Sequence, residues 1–182
     1  RRRKKHVTAI HKVNSFKMTD GLFLDQVRKV AKEFPDVLLD DVLVDAMTAH
    51  LVRHPEKFDV VVATNFYGDI LSDLASELAG SIGLAGSYMA SDTHCCAQAQ
   101  HGSAPDIAGQ DKANPASMIL STAMLLQWIG DHQNSDVIRQ VGLEMEAAVD
   151  QVLMDSSRRT ADLGGTARCS EFGNYVSQVF EQ

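Results

Sequence analysis

The fold of this chain is decided by residues 59–73, which read DVVVATNFYGDILSD. The first part, DVVVATN, is a continuous apolar run, which is typical of a strand covered on both faces in a parallel sheet. We interpret Phe66-Tyr67-Gly68 as a turn and residues 69–80 as an amphipathic helix that opens on an acid. A buried strand, a turn and an amphipathic helix in succession indicate an α/β architecture.

The same alternation continues on both sides of this stretch. Before it, strands are predicted at 6–11 and within 37–44, and helices from Thr19 and within 45–58. After it, residues 80–103 are predicted to be irregular with short strands, followed by helices at 114–130, 135–154 and 169–182 and a loop at 159–165. The pattern predicts a doubly wound α/β fold with a lobe boundary near Gly80, and a long helix that begins at Pro115 and ends at Gly130.

The composition excludes several classes of protein. Of the 182 residues, 45% are apolar and 23% are charged, a balance typical of a folded domain. The net charge of −7 disfavours general nucleic-acid binding, because phosphate recognition needs a basic face. The longest apolar stretch, residues 118–130, is interrupted by polar side chains and is shorter than the roughly 20 residues that cross a bilayer. We therefore expect neither a nucleic-acid nor a membrane partner.

The chain begins with a basic run, RRRKK. It is either a nuclear signal or, as we prefer, the solvated charged end of a structural element. No apolar segment follows it, so a signal peptide is not expected. The cysteines at positions 95, 96 and 169 form no spaced framework, which favours a reducing compartment. We expect a cytoplasmic protein, and a mitochondrial matrix location is compatible with the same features.

Three aspartates lie where predicted strands give way to helices. Asp69 and Asp73 are four residues apart, so a helix places both carboxylates on one face, one turn apart. They are either a helix cap with a solvated neighbour or part of a ligand site, since α/β proteins bind ligands at the carboxyl ends of strands. Considered without the other two acids, Asp45 is interpreted as the N-cap of a helix. In the second interpretation it completes an all-oxygen site suited to Mg²⁺ or Mn²⁺.

Two further features suggest a site. Lys12 ends the strand at 6–11; such a lysine is usually a surface residue, but in a partly buried site it acts as a base. Residues 101–109, HGSAPDIAG, form either a capped turn or a loop whose backbone approaches a ligand, with Asp106 accepting hydrogen bonds from ribose hydroxyls and repelling a 2′-phosphate. No G-x-G-x-x-G is present, so a dinucleotide is not held by that fingerprint. His11 is interpreted as structural.

Five segments together carry a resemblance to a known family. They are HKVNSFKMTDGLF (11–23), VLVDAMTAHLV (42–52), NFYGDILSD (65–73), HGSAPDIAGQDKANP (101–115) and RTADLGG (159–165). In this order and at these separations they resemble the β-decarboxylating dehydrogenases, the isocitrate/3-isopropylmalate dehydrogenase family. The resemblance runs from about His6 to the end of the chain.

The resemblance implies the three-layer α/β fold of that family, of which this chain contains the carboxyl-terminal half. Residues 1–79 then belong to the small, dimer-forming domain, and residues 80–182 to the large, cofactor-binding domain. Family enzymes are dimers, so a homodimer is expected. The missing amino-terminal half carries substrate recognition in the family, so we expect the 182-residue chain alone to be inactive.

The resemblance also implies an activity: oxidative decarboxylation of a 2-hydroxy acid that bears a β-carboxylate, with NAD and Mg²⁺ or Mn²⁺ as cofactors. Lys12 matches the lysine that helps remove the hydroxyl proton, and Asp45 reaches with it into the partner's site. Asp45, Asp69 and Asp73 match the metal-site acids. The matched cofactor-binding residues are Asn14, His101, Gly102, Ser103, Ala104, Pro105, Asp106 and Asn114.

Other interpretations stay open. One is a non-catalytic or regulatory subunit of a hetero-oligomeric enzyme of the same family; another is a structural domain that retains the scaffold, which predicts no Mn²⁺ binding. The presence of the lysine and the four acids favours catalysis. Gln98 and Lys112 depart from the family pattern, and Lys112 softens the expected preference for NAD. The substrate is open among acids of the isocitrate, homoisocitrate and 3-isopropylmalate type.

Overall fold

The computed structural model describes residues 4–181. The chain divides into two compact units, Arg1–Leu78 and Ala79–Gln182, and each is described by itself. The boundary lies beside Gly80, while the roles expected for residues 1–79 and 80–182 stay predictions. Residues 1–3 of the basic run lie outside the described residues. The interpretations of that run as a nuclear signal or as a solvated charged end therefore stay predictions.

The first unit is built on a three-stranded parallel sheet in the order β2-β1-β3. Its strands are β1 (His6–His11), β2 (Leu38–Leu43) and β3 (Val60–Ala63), and its helices are α1 (Thr19–Ala31), α2 (Val44–Arg53) and α3 (Asn65–Leu78). Helix α1 connects β1 to β2, α2 connects β2 to β3, and α3 follows β3. His11 pairs with Leu43, and Ile10 pairs with Ala63. The carboxyl ends of the three parallel strands therefore lie at one edge of the sheet.

Two expectations about residues 59–73 are corrected. Val61 in β3 is 38% exposed, so this strand is not covered on both faces within the chain. Phe66, Tyr67 and Gly68 form no turn, because they lie inside α3 and the Gly68 amide donates to the Thr64 carbonyl at 2.8 Å. A glycine beside two aromatics resembles a turn signal, but the helical hydrogen bonds begin before it.

One cluster of buried side chains in the first unit joins β1 to the second and third helices. Ile10, Met47, Leu51 and Leu71 form one cluster. Their arrangement follows from sequence spacing, since Met47 and Leu51 are one helical turn apart on α2. The cluster fixes α2 and α3 close to the carboxyl edge of the sheet, where the polar residues of interest begin.

The second unit combines a hairpin with three helices. Strands β4 (Gly86–Ala90) and β5 (Cys95–Ala99) are antiparallel and pack on α4 (Ala116–Gln133), which packs on α5 (Asp136–Met154); α6 (Cys169–Phe180) packs on α5. The core consists of Ala116, Ala148, Val149, Val152, Phe172 and Val176. These two units together confirm the predicted α/β class.

Helix α4 runs past the glycine expected to end it. Gly130 lies inside the helix, whose last residue is Gln133 and whose C-cap is Asn134 in the left-handed conformation, with φ 51°. A Cβ at Gly130 would lie 2.5 Å from the backbone nitrogen of Arg139, and one at Gly142 would lie 2.6 Å from the Ala123 carbonyl oxygen. Both glycines therefore serve the close approach of α4 and α5. Within residues 4–181, no helix has the length and apolar character needed to cross a membrane.

Candidate functional site

Lys12 and Asp45, the two predicted catalytic residues, lie together at the carboxyl edge of the first unit's sheet. Lys12 follows β1 directly, and Asp45 is in the first turn of α2, directly after β2. The Lys12 Nζ donates to the Asp45 Oδ1 at 2.6 Å. The lysine side chain is 23% exposed and that of the aspartate 64%. The hydrogen bond from Lys12 is the main cause that lowers the pKa of Asp45.

The backbone after β1 forms a tight turn that carries Lys12 and Asn14. The carbonyl oxygen of Lys12 accepts hydrogen bonds from the amides of Ser15 and Phe16 at 2.9 and 2.8 Å. Asn14, a predicted cofactor-binding residue, is exposed on this turn. The turn thus carries a lysine and an amide side chain two residues apart.

His11 anchors this turn from inside the unit. The amide of Val13 donates to the His11 Nδ1 at 3.2 Å, so the ring's Nε2–H is the donor to the Asp41 Oδ2 at 3.0 Å. Arg28 donates to the other oxygen of Asp41 at 2.8 Å. The hydrogen bond from His11, opposed by burial and assisted by Arg28, lowers the pKa of Asp41.

Asp69 and Asp73 occupy successive turns of α3, and both are exposed. Among residues 4–181, no three His, Cys, Asp or Glu side chains lie close enough together to hold a metal ion. One chain therefore does not bring Asp45 to the other two acids. Mg²⁺ commonly takes only one or two carboxylates together with water and substrate, so the chemistry of the α3 pair fits part of a hard-cation site.

A buried acid that the sequence analysis did not single out lies behind the lysine. Asp20, at the start of α1, is 6% exposed. Its Oδ2 accepts from the Lys12 amide at 2.6 Å and from the Tyr67 hydroxyl at 3.0 Å. The sequence signal that was available is an acid in the first turn of a helix, which by itself indicates only a favourable interaction with the helix dipole.

In the second unit, four of the predicted cofactor-binding residues line one cavity of about 400 Å³: His101, Gly102, Ala104 and Asn114. Ala104 has φ 44°, in the left-handed region, and it leads into a short 3₁₀ turn at Pro105–Ile107. Ser103 lines an adjoining concave surface. Pro105 and the exposed Asp106 belong to the 3₁₀ turn beside the cavity. The loop thus exposes backbone on a concave surface, which suits a ligand with many acceptors.

Asn114 is held at the wall of this cavity by a second unpredicted acid. It is 7% exposed, and its Nδ2 donates to the Asp162 Oδ2 at 3.0 Å. Asp162 also accepts from the Ser81 hydroxyl at 2.6 Å and from the Thr160 hydroxyl at 2.5 Å. Burial opposes ionisation of Asp162, but these hydrogen bonds outweigh it and lower its pKa. A Cβ at Gly83 would lie 2.8 Å from the Asn114 Cβ, so this arrangement requires glycine there.

The comparisons with known proteins agree with this geometry. The family described as isocitrate/isopropylmalate dehydrogenase matches residues 1–176. An isocitrate/homoisocitrate dehydrogenase of Thermus thermophilus is 45% identical over 180 residues, which is 99% of this chain and 52% of that protein. A 3-isopropylmalate dehydrogenase of Archaeoglobus fulgidus is 40% identical over 178 residues, or 98% and 52%.

Solved structures that resemble this chain also include members of this family. The crystal structure of isocitrate dehydrogenase from Methylococcus capsulatus superposes with a TM-score of 0.88 at 39% identity, covering 97% of this chain and 51% of that one. This match confirms the fold expected from the resemblance. The chain spans about half the length of the curated relatives it matches, as a carboxyl-terminal half does. By sequence and by fold, then, the chain belongs to the isocitrate/isopropylmalate dehydrogenase family.

Proposed function

We propose that these residues form the carboxyl-terminal half of an NAD-dependent and divalent-metal-dependent dehydrogenase that oxidatively decarboxylates a 2-hydroxy acid bearing a β-carboxylate. The observation that carries the proposal is the Lys12–Asp45 contact of 2.6 Å at the carboxyl edge of a parallel sheet, in a chain of this family. The similar proteins are named for isocitrate, homoisocitrate and 3-isopropylmalate. All three acids carry the required hydroxyl and carboxylate.

Lys12 is the group that takes the hydroxyl proton. Its side chain is mostly buried, and its stem is fixed at the end of β1, so the amine is presented at a defined position. Asp45 orients the amine through the hydrogen bond at 2.6 Å. A base held in this way accelerates the reaction by transferring a proton in the transition state. It also saves entropy at that step, because folding has already restricted the motion of the lysine side chain.

Asp69 and Asp73, with Asp45, are the residues that would hold the divalent ion, and the loop of His101 to Asp106 with Asn114 would hold the adenosine end of the dinucleotide. When bound, NAD supplies the hydride acceptor and the ion supplies Lewis-acid stabilisation of developing negative charge. The exposed Asp106 is an acceptor for ribose hydroxyls and repels a 2′-phosphate, which favours NAD.

We further propose that the full protein is a homodimer. Within residues 4–181 of one chain, Asp45, Asp69 and Asp73 do not form a group of three that could hold a metal ion, so a second copy is one way to complete the set. Large apolar side chains on α2 and α3 support an interface there, since Val52 is 59%, Phe66 68% and Ile70 46% exposed. Apolar surface of this kind commonly marks a contact between proteins.

Calorimetry with Mn²⁺ tests the metal part of the proposal on the full-length protein. Wild type is expected to bind Mn²⁺, and Asp69→Asn is expected to weaken binding by about tenfold or more, because a hard cation loses one charged ligand. Asp25→Asn, which makes the same charge change at an exposed position of α1, is the control. Equal heats from all three proteins would remove the metal hypothesis and favour a structural role.

Steady-state assays test the substrate and the cofactor. Full-length protein is supplied with isocitrate, homoisocitrate, 3-isopropylmalate and tartrate, each with NAD and with NADP. We expect turnover of one of these acids with a preference for NAD, and none from the 182-residue chain alone. Absence of turnover in the full-length protein, with Mn²⁺ bound, would favour a non-catalytic subunit.

A further inference from the structure

One buried carboxylate contacts both functional segments of the first unit. Asp20 is 6% exposed, and its Oδ2 accepts from the Lys12 backbone amide at 2.6 Å and from the Tyr67 hydroxyl at 3.0 Å. Its other oxygen accepts from the Thr19 hydroxyl at 3.2 Å. Both carboxylate oxygens are therefore occupied by donors from this unit.

The hydrogen bonds to Asp20 are expected to be stronger than hydrogen bonds between neutral groups. A carboxylate removed from water is costly unless hydrogen bonds replace its hydration, and hydrogen bonds to an ionised acceptor are about twice as strong as neutral ones. Tyr67 is itself only 8% exposed. In this contact the Tyr67 hydroxyl is the donor and the Asp20 carboxylate is the acceptor.

The partners of Asp20 belong to different structural elements. Lys12 follows β1, Asp20 begins α1, and Tyr67 lies in the first turn of α3. Tyr67 precedes Asp69 by two residues on the same helix. The carboxylate therefore joins the backbone that carries the base to the helix that carries the two exposed acids.

We propose that Asp20 is a positioning residue that fixes Lys12 relative to the α3 helix. The inference rests on the proposed function for its catalytic meaning, but the contact itself is measurable without turnover. The Lys12 backbone amide donates to an oxygen of the buried Asp20 side chain. The position of the Lys12 side chain therefore depends on Asp20. Tyr67, on α3, donates to the same oxygen, so the carboxylate links the two segments.

The contact makes opposite predictions for two variants. In Tyr67→Phe, the Oδ2 of Asp20 is no longer shared between two donors, so the bond from the Lys12 amide strengthens and its proton resonance moves downfield. In Asp20→Ala, the acceptor is gone, so the same resonance moves upfield and its exchange with solvent speeds up by about tenfold, the protection that one hydrogen bond supplies. Both are measured by NMR on the full-length protein.

Ser76→Ala is the matched control, because it also removes a buried hydroxyl from α3, one that donates to the Ser72 carbonyl at 2.7 Å. It is expected to leave the Lys12 amide resonance in place. If Tyr67→Phe leaves the resonance unmoved, or if Ser76→Ala moves it equally, the proposal is wrong. Because Tyr67→Phe removes only one oxygen, the result does not depend on whether Asp20→Ala folds.

Kinetics of the full-length protein test the catalytic meaning. Tyr67→Phe is expected to lower kcat by roughly tenfold with the KM for NAD unchanged, since small displacements of a base are costly. Its melting temperature should match that of Ser76→Ala, whose kcat is expected to stay at the wild-type value. Equal kcat for Tyr67→Phe and Ser76→Ala would overturn the positioning role. A wild type without turnover would refute the proposed function, while the amide resonance still decides whether Asp20 holds Lys12.

Discussion

The two units present their candidate functional groups in different ways. In the first unit the groups are charged side chains at the ends of strands, above all the Lys12–Asp45 pair. In the second unit the groups are a loop whose shape depends on Ala104 with φ 44° and an asparagine held by Asp162. Proton transfer and metal binding need charge, which side chains supply, whereas a dinucleotide cradle needs shape and backbone donors. The first kind of site is visible in a sequence and the second is much less so.

The two units also differ in how they bury their large aromatic side chains. The second unit encloses a helical core around Phe172, which is fully buried. The first unit leaves large aromatic side chains exposed, among them Phe34, which follows α1, at 53% and Phe66, on α3, at 68%. Exposed aromatic side chains of this kind are expected to form a contact surface for a partner.

The largest effect is expected at the charged site. Lys12→Met keeps the length of the stem and removes the amine, so kcat of the full-length protein should fall by about 10²- to 10⁴-fold, the usual contribution of a general base. Lys17→Met, at an exposed position five residues further along, should retain wild-type kcat. Similar kcat values for the two variants would show that Lys12 is a surface lysine.

The next effect tests whether the second unit is stabilised by its own core. Phe172→Ala should lower the free energy of unfolding of that unit by about 3–5 kcal/mol, since a large aromatic side chain leaves a cavity. Phe180→Ala, at a side chain 40% exposed, should cost clearly less. Scanning calorimetry of the 182-residue chain measures both. A shift of every transition by the same amount would show that the two units unfold together.

Glycine substitutions sharpen the comparison within the second unit. Gly142→Ala places a Cβ 2.6 Å from the Ala123 carbonyl oxygen, so it should destabilise by about 1–3 kcal/mol through overpacking. Gly173→Ala, on α6 with open space around the new Cβ, should stabilise by up to about 1 kcal/mol through helix propensity. Urea unfolding gives both values, and a destabilising Gly173→Ala would contradict the packing described for α6.

The smallest effect concerns Asp162. Its hydrogen bonds lower its pKa below the ordinary 3.8, so its stabilising contribution is complete above that pH and is lost as the pH falls towards the folded value. The difference in stability between wild type and Asp162→Asn should be less than about 1 kcal/mol, because the group is exposed and screened. It should be constant from neutral pH down to the carboxyl range and shrink below it. Urea unfolding at several pH values measures it, and a difference that grows in acid would contradict the assignment.

Much of the fold was predictable because it depends on neighbours in the chain. The strand at 6–11 and the helix starting at Thr19 match β1 and α1, since alternation and helical spacing are local properties. The predictions were wrong where a residue type that is common in turns or at helix ends lies inside a helix instead. Gly68 resembles a turn and lies in a helix, and Gly130 resembles a helix end and instead allows α5 to approach.

The sequence by itself determined which side chains we propose for the chemistry: a lysine and an aspartate that each follow a strand, two acids one helical turn apart, and a small-residue loop. Only the tertiary structure decided how they are held. Tyr67 contacts Asp20 across 47 residues, and Asn114 contacts Asp162 across 48. Such pairs leave no periodic trace in a single sequence, because a buried hydrogen bond depends on where the chain returns and not on which residues stand beside each other.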